Sequence, residues 1–103
     1  MSVHTRWKRQ ESRVARLLGA QRLPNDGLPH ADVENEVLAA EVKDRVELPQ
    51  WIVAAVNKAR DYAGSKRLGL LVLTSGTERQ ALVVLDIRDY QKWYVGRKQK
   101  EEV

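Results

Sequence analysis

The chain has 103 residues, 43% of them hydrophobic and 31% charged, the balance of one small globular domain and not of a disordered segment. It has no cysteine, which excludes disulfides and thiolate metal sites and suits an intracellular protein. The formal net charge of +4 leaves room for an anionic partner without requiring one.

The N-terminal "MSVHTRWKRQ" has no apolar signal core, and the run "LGLLVL" is far too short to cross a bilayer, so the expected location is the cytoplasm, with no membrane partner. A first helix is expected from about Thr5, as its cap, to Leu18, with Gly19 ending it. Trp7, Val14, Ala15 and Leu18 recur at helical spacing and mark its buried face. Glu11 lies on that same face. An acid inside an apolar stripe is costly unless something pairs with it, so an edge position or a buried salt bridge is the plain reading of Glu11 taken alone.

"AQRLP" reads as a first strand, and "NDGLPH" is dense in turn residues. "ADVEN" and "EVLAAEVK" read as two strands joined by a tight turn near Asn35. "ELPQWIVAAVNKARDYAG" reads as a second helix, with Pro49 in its first turn and Gly64 at its end. Its stripe is Leu48, Ile52, Ala55, Val56, Ala59 and Ala63. The continuous apolar runs "LGLLVLT" and "QALVVLDI" read as strands covered on both faces, with "SGTER" between them. "RDYQKWYV" reads as a last helix with Asp86 or Asp89 near its start, and residues 96–103 as a fraying tail. The expected architecture is a single α/β domain over residues 1–103, in the order αβββαββα, with a central mixed β-sheet flanked by helices.

One constellation carries chemistry. Alternation along a strand puts Glu41 and Lys43 on one face and Val42 on the other. A hairpin turning near Asn35 sets Asp32 opposite about Ala39, diagonally next to Glu41. Two carboxylates so close resist ionising unless a cation sits between them. Mg²⁺ suits such a pair, since it prefers hard oxygen ligands and completes its shell with water and phosphate oxygens. Lys43 is then placed to orient a water or offset charge on a phosphate. The plain alternative is a surface hairpin carrying a Lys–Glu pair, which contributes little. His4 and His30 lack organised partners for a zinc or histidine-base mechanism, and Ser12, Ser65 and Ser75 have no adjacent base. "GSKRLG" lacks a phosphate-loop pattern and reads as a basic connection able to touch phosphate. Trp7 and Trp51 read as core or interface, Trp93 and Tyr94 as a dimer contact.

An acid on a first helix (Glu11), then Asp32, then Glu41-Val42-Lys43 on the next strand resembles the PD-(D/E)xK nuclease superfamily. The phrases "KRQESRVARLLGAQRLP", "NDGLPHAD" and "AAEVKDRVELPQWIVAAVNKA" look most like the small archaeal-type and phage Holliday junction resolvases, a resemblance covering roughly residues 5 to 95. Two departures stand: Ala31 replaces the proline of the superfamily name, and the loop before Asp32 has no serine. The resemblance implies a restriction-endonuclease-like fold and a Mg²⁺-dependent endodeoxyribonuclease, with Mn²⁺ as a substitute ion. It makes Glu11, Asp32, Glu41 and Lys43 catalytic, the three acids being metal ligands. It further implies a homodimer resolving four-way DNA junctions, in the host cytoplasm if phage-encoded. Arg6, Lys8, Arg9, Arg13, Arg16, Arg22 and Arg45, with Lys43, concentrate near this set and are the expected contacts to DNA phosphates. The alternatives are a nuclease or nickase for other branched, nicked or single-stranded DNA, and a non-catalytic nucleic-acid-binding module of the same fold.

Overall fold

The structure, a computed structural model, describes residues 3–76 and 79–101. Its elements run α1 (Val3–Leu18), β1 (Gln21–Arg22), β2 (Val33–Glu34), β3 (Ala39–Ala40), α2 (Gln50–Ala63), β4 (Leu71–Thr74), β5 (Ala81–Val84) and α3 (Ile87–Glu101). This is the expected order and a mixed α/β composition. One difference matters. The strands form two antiparallel sheets, β1-β2-β3 and β4-β5, and not one mixed sheet. Each ladder joins chain neighbours through a direct connection, which antiparallel pairing permits and parallel pairing does not. The chain also divides into two compact units, Met1–Val46 and Glu47–Val103.

In the first unit α1 starts at Val3, so Thr5 lies inside it and does not cap it. Its end is as expected. Gly19 takes a positive φ of 62°, its N–H donates to Arg16 O (3.3 Å), and the N–H of Ala20 donates to Ala15 O (2.8 Å). That is a Schellman closure, which satisfies carbonyls the helix leaves open. The stripe faces inward, with Glu11 and Ala15 buried and Trp7, Val14 and Leu18 half-buried. It packs on β1 and β2, where Val33 is fully enclosed. Asn35 makes the turn between β2 and β3. Its Oδ1 accepts from the N–H groups of Val37 (2.8 Å) and Leu38 (3.0 Å), and its Nδ2 donates to Gly19 O (3.2 Å) at the end of α1.

In the second unit Pro49 is the residue before α2, and Gly64, at φ 68°, closes it. Val56 is buried, with Ile52, Ala55, Ala59 and Ala63 half-buried around it; Leu48 lies before the helix and is exposed. The β4-β5 hairpin pairs Leu71 with Val84 and Leu73 with Leu82. Val72, Leu82 and Val83 are exposed, so these apolar runs are not covered on both faces. Asp86 starts α3: its Oδ1 accepts from Arg88 N (2.8 Å), and the Arg88 guanidinium holds its carboxyl down at about 2. The helix runs past Val95, the expected end, so the segment expected as a fraying tail is helical from Gly96 to Glu101.

Gly69 is buried because β4 enters directly against α2. A Cβ there would lie 2.7 Å from Ala59 O and 2.8 Å from the Arg60 Cα, both backbone atoms that cannot swing aside. Gly69→Ala is expected to destabilise the fold by about 1–3 kcal/mol, the usual cost of overpacking. Urea unfolding of the full chain measures it, and a midpoint equal to wild type would contradict this packing.

Candidate functional site

The expected residues all belong to the first unit, where β2 and β3 set their register. Val33 faces Ala40 and Glu34 faces Ala39. Asp32 therefore comes level with Ala40 and Glu41, beyond the expected Ala39. Its N–H donates to Ala40 O (3.0 Å), its C=O accepts from Leu23 N (3.0 Å), and its carboxylate Oδ2 accepts from Val42 N (2.7 Å). A side chain so held has no partner for its second oxygen, Oδ1, among the described residues. Asp32 is half-buried.

Glu41 and Lys43 lie just past β3. Exposure still alternates, Glu41 and Lys43 out and Val42 partly in, so the two share a face as expected. Lys43 Nζ stands 3.3 Å from Glu41 Oε1, with the side chains 78% and 72% exposed. A pair that wet contributes little to stability, so both side chains are free to exchange partners.

Glu11 is the buried acid of α1, and Arg22 of β1 answers it with Nε 3.0 Å from Oε1. The same guanidinium lies over the Trp7 ring, 5.6 Å from its centroid. Burial of an unpaired carboxylate would be costly, and the strand after Gly19 brings the cation that offsets it. Glu11 thus sits on the face expected of it, but its partner is Arg22. Among the described residues no three acids or histidines group closely enough to hold one ion together. Asp32 and Glu41, opposite each other in the register, both carry hard carboxylate oxygens, the donor type that Mg²⁺ prefers.

The expected basic residues divide by what they touch. Arg6 Nε lies 2.9 Å from Asp44 Oδ2 and its Nη2 donates to Arg45 O (2.9 Å), which ties α1 to the segment just after Lys43. Arg13 donates to Gln10, and Lys8 lies over Trp7. Arg6, Lys8, Arg9, Arg13 and Arg16 line a hollow of about 720 Å³ along α1.

Sequence reasoning left out the Asp26–His30 contact in the loop before Asp32. Asp26 Oδ1 accepts from Leu28 N (2.9 Å) and lies 3.0 Å from His30 Nε2, while His30 Nδ1 lies 2.6 Å from Ala31 O. The i,i+4 spacing of Asp and His was the available signal. Acceptors at both ring nitrogens favour the doubly protonated imidazolium. The Ala31 carbonyl, and then Asp26, raise the His30 pKa above its ordinary 6.5, and the Leu28 amide chiefly lowers that of Asp26.

A raised pKa means that the His30 contribution to loop order is complete below the unfolded value and is lost as pH climbs through the folded one. His30 is expected to titrate above 6.5 by imidazole NMR, and Asp26→Asn to bring it back down. A His30 that titrates at or below the ordinary value would contradict the loop geometry.

No protein-family model matches the chain, and no curated protein or solved structure is significantly similar to it.

Proposed function

We propose that the first unit carries the active site of a Mg²⁺-dependent DNA endonuclease, a Holliday junction resolvase that acts as a homodimer. The observation that supports it best is the end of the β2-β3 hairpin. There the Asp32 carboxylate is aligned by the Val42 amide, opposite Glu41 of the Glu41–Lys43 pair, with one oxygen uncommitted among the described residues. The order αβββαββα is that of the restriction-endonuclease-like fold, which belongs to the same reading.

In this reading Asp32 and Glu41 would hold the ion, with Glu11, which is paired with Arg22, as the third acid of the set. Bound there, Mg²⁺ supplies Lewis-acid activation of water and of the scissile phosphate. Lys43, here 3.3 Å from Glu41, would position the attacking water and offset the negative charge that builds on the phosphate. The α1 hollow holds the DNA backbone without reading sequence. A four-way junction needs two symmetric cuts, and one chain supplies one such site, hence two copies.

A specific observation favours a second reading, a nucleic-acid-binding module without catalysis. Glu11 and Glu41 each already have a cation, and no three acids group together among the described residues. Cleavage separates the two. Asp32→Asn keeps an oxygen able to accept from Val42 N, so the fold and DNA binding are expected to hold while junction cleavage in Mg²⁺ is abolished. Glu41→Gln should behave likewise, and chelation of the ion should match both. Wild-type protein that binds junctions yet cuts neither junction, flap nor nicked DNA would favour the binding module.

Lys43 gives an independent test. Lys43→Ala is expected to lower the single-turnover rate at saturating junction by roughly a hundredfold, the usual scale for one preorganised group, with far less change in affinity. Lys43→Arg should also be impaired, because a planar guanidinium does not replace a compact ammonium. Near wild-type rates for Lys43→Ala would remove it from the active site.

A further inference from the structure

The second unit has its own hollow, of about 650 Å³, between the turn after α2 and the first half of α3. Its charges sort into satisfied and unsatisfied groups. Arg60 of α2 pairs with Asp89 of α3 (2.6 Å) and reaches Asp86 (3.6 Å), so these carboxylates are neutralised. That pair also fixes the two walls against each other. The Arg67 side chain donates to the carbonyls of Tyr62 and Ala63 (3.2 Å), which covers the negative end of the α2 dipole. Lys66 and Lys92 also line the hollow and make no ion pair or hydrogen bond among the described residues. Asp61 is the one lining carboxylate outside the Arg60 network. The wall is completed by Trp93, whose side chain is partly open to solvent, at 44% residue exposure.

We infer that this hollow binds a nucleotide, with its phosphate between Lys66 and Lys92 and its base against the Trp93 ring. An anion fits because Asp89 and the helix carbonyls are occupied, while the two ammonium groups of Lys66 and Lys92 outnumber the one lining carboxylate left over, Asp61. A nucleotide fits better than an acidic peptide because a flat aromatic surface lies beside the cations. Base stacking on such a ring and phosphate pairing with lysine are the two contacts of single-strand recognition. The hollow needs nothing from the hairpin end in the first unit, so it stands or falls separately from the metal site.

The test uses the full chain as Asp32→Asn, which prevents cleavage during the measurement. Nitrogen-15 NMR follows the Trp93 indole, assigned with Trp93→Phe, and the amides of residues 64–69. Titration with a 5′-phosphorylated six-residue oligothymidylate is expected to move the indole and these amides together. Lys66→Gln/Lys92→Gln should weaken that binding by about tenfold or more, as expected for the loss of charge-assisted contacts. Shifts from the oligonucleotide and not from thymidine monophosphate assign the site to a strand, and comparable shifts from both assign it to free nucleotides as well. Three results overturn the inference: unmoved signals at saturating oligonucleotide, wild-type affinity in the double variant, or equal affinity for inorganic phosphate or a polyglutamate peptide. Loss of junction cleavage in Asp32→Asn reports on the first unit alone, whereas these shifts report on the second.

Discussion

The hydrogen bond from the Val42 amide to the Asp32 carboxylate is the constraint on which the candidate site depends. The β2-β3 ladder itself is only two residues long on each strand. Beyond it, the Asp32 N–H donates to Ala40 O, and the Val42 bond carries the pairing on toward Lys43. The carboxylate extends the ladder by one step, since a side-chain oxygen accepts where a backbone carbonyl would have done. One group therefore does two things: it holds the segment after β3 in place, and it presents its other oxygen at the same spot. A charge-assisted bond of this kind is stronger than a neutral one, which suits a short hairpin that little else holds.

The buried Glu11 shows how this unit accommodates charge. A helix stripe that includes an acid would normally be destabilising. Here the Schellman closure at Gly19 reverses the chain so that β1 runs back along α1 and delivers Arg22 to the acid. Trp7 then covers the guanidinium. Asn35 joins the same assembly by donating to the carbonyl of Gly19, so the helix end and the β2-β3 turn are set by one side chain. The first unit is thus organised by polar groups with specific partners around a small apolar centre at Ala15 and Val33.

The local signals were legible because they rest on short-range chemistry. Gly19 and Gly64 took the positive φ that helix ends favour, the helix stripes were periodic, and the turn fell at Asn35. Element order followed from these. What sequence could not supply was partner choice at longer range. Nothing in "AQRLP" says that Arg22 faces Glu11, and the pairing level of Asp32 shifted because the turn is closed by the Asn35 side chain and not by backbone alone. The apolar runs of β4 and β5 implied cover on both faces, but hydrophobicity does not specify which element supplies it. In the second unit α2 packs against β4, and Val72 and Val83 remain exposed.

Charge counting shows the same limit. Seven basic residues near the hairpin read as phosphate contacts, but a cation contributes to binding only if it is available to replace counterions. Arg22 is committed to Glu11, and Arg6 to Asp44 and the Arg45 carbonyl. Releasing either would expose an acid that it now neutralises, so each would gain a phosphate and lose a carboxylate. Their role is to position α1 and the segment that follows Lys43. Under the proposed function, a footprint on DNA would therefore draw on fewer cations than the sequence offers, since Arg6 and Arg22 already serve acids. Under that proposal, the salt dependence of DNA affinity would scale with the smaller number and would separate arginines that build the site from those that serve the ligand.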